Sequence, residues 1–443
     1  MRELRSFSAS GYAQWPLGMS LVMLLFLIES SWSQTALEEP QEKIIHYESP
    51  QGLGDPIALL QKRLTDGSTT LSFEPGRGYL PALLKELRIP ISSQSLVFSK
   101  TSSQRERINP QTPRAIYFSD AVSLGWVPGG KVIEIASVDA NQGPIFYTLD
   151  QSEVKSPRFS RGTDCMQCHL SSKTMNVPGL LVRSVYTASN GVPMAQVADF
   201  VNGHNSPLQT RWGGWFVTGT HTGEPHLGNV FVTDPEHPEH TDLAANPSRD
   251  LMDLRDQLDT SRYLSPHSDI VALLVLEHQV RMQNLITRAN YETRYAKADL
   301  EKNASWSQQR ISLAAEMLLE YMLFRNEAAL TGPVRGTSTF VADFERGGPR
   351  ASNDRSLRQL GLKSRLFRYP CSYMVYSPAF DSLPSEMKSY LWRRLEQILT
   401  GQDRGGTYAT MTAQDRREVL EILRETKPEF ATWMQKPQQL GMK

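Results

Sequence analysis

The stretch VIEIASVDANQGPIFYTLD, residues 132–150, decides the fold. Two runs rich in β-branched and aromatic residues, VIEIASV and PIFYTL, flank Asn141-Gln142-Gly143-Pro144, which is too short to hold a crossover helix. The pair predicts an antiparallel hairpin. Working outward, SLVFSK, RAIYFS and VSLGWV precede it, with Pro128-Gly129-Gly130 as a further turn, and the spacing suits hairpins better than β-α-β units. After residue 172 the pattern resumes in LLVRSVYT, PMAQVADF, GGWFVTGT and GNVFVT, and Asn190-Gly191 between the first two is a hairpin signal.

From residue 265 the period turns helical. Ser265 and Pro266 predict an N-cap and first helical position, followed by Ile270, Leu273, Leu274, Leu276 and Val280. A second helix is expected from Ser305, with Ile311, Ala314, Ala315, Leu318, Leu319 and Met322 as its apolar stripe, so that the two cover each other as an αα-hairpin. Two closing helices are expected over 384–400 and 412–427, the last capped by Thr412 with Asp415. Residues 331–368, rich in glycine, arginine and serine, are too long for an ordinary connection and either wrap the surface or serve a site.

The expected fold is therefore α+β. Residues 1–33 read as a signal peptide, 34–90 as a polar N-terminal segment with short helices, 91–250 as a β-rich domain of antiparallel strands, and 251–443 as a mainly helical region. The signal reading rests on Arg2 and Arg5, the apolar run Leu17 to Ile28, and the small residues of Ser31-Trp32-Ser33. It implies export to a bacterial periplasm, with no stable membrane span once the segment is cleaved; an uncleaved anchor is the alternative.

Lysine plus arginine equals aspartate plus glutamate at 47 each, so charge gives no reason to expect nucleic acid or an anionic surface as partner. Three cysteines exclude a disulfide framework. Two of them lie in RGTDCMQCHLSS, residues 161–172, as Cys165 and Cys168 followed at once by His169.

C-x-x-C-H is the attachment signal for c-type haem. Two thiols three residues apart can form thioethers to the two vinyl groups of one porphyrin edge, and the next imidazole then lies under the iron as axial ligand. Attachment follows export, so the motif and the leader agree. Zinc is the rival reading, but it needs four ligands and the second half of such a site is missing; Cys371 follows only about 200 residues later. A thioredoxin-type dithiol lacks its β-α-β surroundings.

The opposite axial position is open among several residues. His226 is favoured, with His221 or Met175 as alternatives, because His221 to His226 joins two apolar runs and Met175 lies in the loop just beyond His169. Met194 and His204 are further candidates, and His237 and His240 read as solvated. In Arg211-Trp212-Gly213-Gly214-Trp215, the glycines and tryptophans either let the backbone approach a flat ring, with Arg211 on a haem propionate, or form a glycine bulge with two core aromatics. Arg105, Arg107 and Arg114 are further propionate candidates on a basic loop.

The chain resembles a family of exported bacterial proteins known only as cytochrome c domain-containing, with a single C-x-x-C-H motif. The resemblance spans roughly residues 90–430. It is carried by VFSKTSSQRERINPQTPRAIYFSD, LGWVPGG, GPIFYTLDQ, CMQCH, RWGGWFVTGTH with HLGN, and LFRYPCSYMVYSPAFDSLP. It implies covalent haem and export, and marks Arg114, Arg211, Trp212, His221, His226 and Cys371 as motif positions. The function expected is that of a c-type haem protein, one covalent haem c and its iron, serving electron transfer with a partner protein. A peroxidase-like haem enzyme and a non-catalytic haem sensor are the alternatives, and the oligomeric state is left open.

Overall fold

A computed structural model describes residues 37–435, apart from 163, 195–198, 222–224, 233–249, 302 and 404. The expected signal segment, and His237 and His240, lie outside the described residues.

The architecture is α+β. Three short helices, α1 (Glu39–Ile45), α2 (Pro56–Thr65) and α3 (Leu80–Glu86), lead into β1 (Ser95–Val97), β2 (Arg114–Phe118), β3 (Val122–Trp126), β4 (Val132–Asp139), β5 (Gly143–Asp150) and β6 (Phe159–Arg161). These strands form one sheet in chain order with every pair antiparallel. The β4–β5 hairpin is the one that residues 132–150 predict, and Gly143 turns it at φ 74°, where a side chain would be strained.

The alternation of side chains gives the sheet two unlike faces. Tyr117, Leu124, Trp126, Ile133, Ile135, Ile145, Tyr147 and Leu149 are buried against Ile57, Leu60, Leu80, Leu83 and Leu84 of α2 and α3. Tyr147 donates to Asp55, the N-cap of α2, at 2.8 Å. On the other face Arg114, Ile116, Ser123, Glu134 and Thr148 are only half covered. The segment before α2, expected as a polar tail, is docked: Tyr47 donates to the Pro144 carbonyl at 2.8 Å and Arg294 to that of Ile44 at 2.6 Å.

Beyond the sheet come the single turn α4 (Met166–His169), the pair β7 (Arg183–Val185) and β8 (Asp199–Val201), and β9 (Thr220–His221). The turn at Ala188 to Gly191 forms as read, with Gly191 at φ 83°. Residues 195–198 of the expected strand PMAQVADF and 233 of GNVFVT lie outside the described residues; among the described residues of 180–232 the strands are short, β7, β8 and β9. Gly213 and Gly214 bring the backbone against Val185 and Ser99, where a Cβ would lie 2.5 and 2.6 Å from its neighbour, so isolated bridges replace ladders.

Helix α5 (Ile270–Ala298) and α6 (Ala304–Met322) pair as expected. Their caps differ from the reading. Asp269, not Ser265, caps α5 by accepting from Val271 and Ala272, because the carbonyls of Ser265 and His267 are drawn to the Gln94 amide beside β1. Asn303, not Ser305, caps α6. Nor is α5 buried on one stripe alone: Gln279 and Gln283 reach the carbonyls of Ser119 and Asp120, and Tyr291 that of Gln142. The expected boundary at residue 250 is consequently no break in packing, and the described residues belong to one compact unit.

In the long segment after α6, β10 (Val334–Arg335) pairs with β9, and α7 (Phe340–Arg346) follows. Arg358 then lies across the Phe344 and Tyr373 rings and pairs with Asp120, so the segment wraps the surface. Helices α8 (Pro378–Asp381), α9 (Ser385–Leu399), α10 (Ala413–Thr426) and α11 (Pro428–Gln435) close the chain, α10 with the expected Thr412–Asp415 capping box. No helix among the described residues is long and apolar enough to cross a membrane.

Candidate functional site

Cys165 stands at the N-cap of α4 and Cys168 and His169 within it. One helical turn therefore places the two thiols on the same side, three residues apart, with the imidazole next to them. Met166 is buried in the hydrophobic core and anchors the turn, while Cys168 is exposed and Cys165 half-buried.

His169 is fixed from two sides. Its Nδ1 lies 2.7 Å from the Gly179 carbonyl and its ring packs on Phe146 of β5, centroids 4.6 Å apart. The carbonyl can only accept, so Nδ1 carries the proton and Nε2 keeps its lone pair. Burial holds the imidazole below its usual pKa against that hydrogen bond, with Arg114 lowering it further, so the ring is neutral at pH 7. A neutral imidazole with Nδ1 donated to a carbonyl and Nε2 free of any described partner is the state an axial ligand needs.

The half-covered sheet face adjoins this turn. Arg114 pairs with Glu134 at 2.7 Å across Gly125, whose missing side chain makes the space: a Cβ there would lie 2.2 Å from the guanidinium. Both charges act on His169 and on Cys165, whose thiol pKa is raised by burial first and then by Glu134. Arg114 Nε is buried and has no hydrogen-bond partner among the described residues. Propionates leave the porphyrin edge opposite the vinyl groups, so Arg114, which acts on Cys165, stands on the attachment side and is not placed for a propionate; the thiol pair and the neutral imidazole carry the fit. The residues present thus fit a c-type haem. Arg105 and Arg107 are exposed on their loop.

Arg211 is placed elsewhere. It is 3 % exposed and pairs at 2.9 Å with Glu277 of α5, which is fully buried, while its other donors reach the carbonyls of Ser206 and His204. Every nitrogen of the guanidinium is committed, so the expected propionate role gives way to a buried ion pair. Burial pushes the Glu277 carboxyl up to about 7, against the opposing pull of Arg211, Asn202 and Trp212. Trp212 is buried at φ 68° and packs edge-on against His226, centroids 5.0 Å apart, and Trp215 donates to the Arg183 carbonyl. Of the second reading of this stretch the two core aromatics hold, but Gly213 and Gly214 form a turn, closed by the Trp215 amide donating to the Trp212 carbonyl at 2.9 Å, and not a bulge in a strand.

The histidines favoured for the second axial position gather with one another. His221 and His226 rings lie 4.8 Å apart, and His226 Nδ1 accepts from the Gly228 amide. His204 is a core histidine, its Nδ1 3.0 Å from that of His278 and its ring stacked on Tyr321. Met175, at φ 63°, packs towards the main core, and Met194 is buried. Glu134, Gly179, Glu277, His278 and Asn284 were not singled out from the sequence. All but Gly179 lie inside strand or helix patterns that read as ordinary packing.

Cys371 is fully buried among helices, its thiol pushed up to about 12, as an inert core residue would be. Among the described residues no three His, Cys, Asp or Glu side chains gather as a protein-built metal site requires. A haem iron brings four ring nitrogens of its own and asks the protein for far less.

Comparison of the chain with protein families, with curated proteins and with solved structures found no match in any of the three.

Proposed function

We propose that this is an exported c-type haem protein that takes part in electron transfer, with one haem attached through Cys165 and Cys168 and His169 as an axial ligand. The observation that carries the reading is the His169 imidazole, held by Gly179 at Nδ1 in the turn that also bears both thiols. The haem supplies a one-electron couple that no side chain here provides.

The chain's own residues supply attachment, orientation and charge. Gly179 keeps the proton on Nδ1 and so leaves Nε2 as the donor atom. Phe146 fixes the plane of the ring. Arg114 and Glu134, paired at 2.7 Å, set the charge around the imidazole and the Cys165 thiol. Exposed Cys168 would hold the group where a partner protein can approach it. The resemblance in sequence and the leader-like start of the chain support periplasmic export.

Potentiometric titration tests the role, with the protein made in cells that carry a haem-maturation system. A reversible one-electron wave, with no turnover of peroxide, is expected. Sustained peroxide consumption at an iron that binds carbon monoxide would overturn the carrier reading in favour of an enzyme.

A further inference from the structure

Asn284 lies in the middle of α5 and is 3 % exposed. Asparagine is a poor choice for a helix interior, and a buried amide there needs partners. Its partners lie 104 residues earlier: Asn284 Oδ1 accepts from the Leu180 amide at 3.0 Å, and Nδ2 donates to the Leu180 carbonyl at 2.8 Å.

The Leu180 N–H and the Gly179 carbonyl belong to one planar peptide unit. That plane is gripped at both ends, by His169 at the oxygen and by Asn284 at the nitrogen. Fixing the N–H fixes the direction in which the carbonyl meets Nδ1. The bond at the N–H also polarises the unit and makes its oxygen a stronger acceptor. Gly179 is what lets the amide approach, since a Cβ at that position would lie 2.6 Å from Asn284 Oδ1 and 3.0 Å from Thr174.

We propose that Asn284 is a positioning residue for the axial histidine, setting the orientation and basicity of His169 through the Gly179–Leu180 peptide. The proposal rests on the haem reading given above. A stronger acceptor at Nδ1 makes the imidazole a better donor to iron and favours the ferric state. Loss of the clamp therefore raises the midpoint potential.

The test uses the full-length haem-loaded protein and its Asn284→Leu, Asn284→Ser and Gly179→Ala variants, with Gln283→Leu as control. Gln283 is the adjacent buried amide on α5 and bonds instead to the Asp120 carbonyl. Each protein is read by covalent haem content, midpoint potential and low-temperature electron paramagnetic resonance. The expected result is full haem attachment throughout, an upward shift and a broadened ferric signal in the three clamp variants, and neither change in Gln283→Leu. Should Asn284→Leu fail to accumulate, the milder Asn284→Ser carries the comparison. Potential and spectrum unchanged in a haem-bearing Asn284 variant, or shifted equally in Gln283→Leu, would overturn the proposal. Absence of covalent haem from the wild-type chain is a separate result, one that removes the haem reading itself.

Discussion

Replacing Arg211 by methionine removes one half of an ion pair that is 3 % and 0 % exposed. The Glu277 carboxyl, already raised to about 7 by burial, then loses the one cation that opposes the shift most strongly. Breaking such a buried pair from one side costs about 3–5 kcal/mol, because a charge or a forced protonation is left in the core. The carbonyls of Ser206 and His204 lose their donor as well, so the upper part of that range applies. Against a total stability of about 5–15 kcal/mol this is a large fraction. Removing both charges, as Arg211→Met with Glu277→Leu, leaves no orphan ion and should recover most of the loss. Urea unfolding followed by tryptophan fluorescence measures both variants. A role on a haem propionate predicts the opposite pattern, with little loss of stability and a shifted potential. A single variant that costs less than about 1 kcal/mol, with no recovery in the double, would refute the buried-pair reasoning.

Three further outcomes are expected. Arg114→Met should lower the midpoint potential by removing a cation that disfavours ferric iron, and Gly125→Val, which displaces the same guanidinium, should shift it in the same direction by less; opposite signs in potentiometric titration would contradict this. Glu327 is raised to about 7 by burial, so the folded chain holds its proton more tightly than the unfolded chain does; its contribution to stability is full below about 4.5 and is lost as pH rises through about 7. Glu327→Gln, which keeps an acceptor for the Leu366 amide, should flatten that decline in melts from pH 5 to 8. In haem-free protein, native alkylation read by mass spectrometry should label exposed Cys168 first, Cys165 more slowly, and Cys371 only after denaturation.

The sheet was legible because its signals are local. In VIEIASVDANQGPIFYTLD the apolar runs and the turn lie within one window, and the same holds for the strands before it. The motif was legible for the same reason, with both cysteines and the histidine on one turn. What failed depends on partners far along the chain. Arg211 reads as a propionate arginine until Glu277, 66 residues later, is brought to it. Asn284 is an undistinguished polar residue in a helix until the 104-residue contact with Leu180 forms. The glycines at 213 and 214 signal close approach, but the sequence does not say of what; the answer is the Val185 carbonyl and the Ser99 side chain. The start of α5 moved from Ser265 to Asp269 because Gln94 claims the intervening carbonyls, again from a distance.

Covalent haem is the claim on which the rest depends. The chain should be expressed with a haem-maturation system, denatured, and examined for haem that stays with the polypeptide, with Cys165→Ala alongside. One haem per chain that survives denaturation is expected, with its loss or weakening in the variant. Polypeptide free of haem but carrying one zinc would contradict it and make CMQCH a structural metal site.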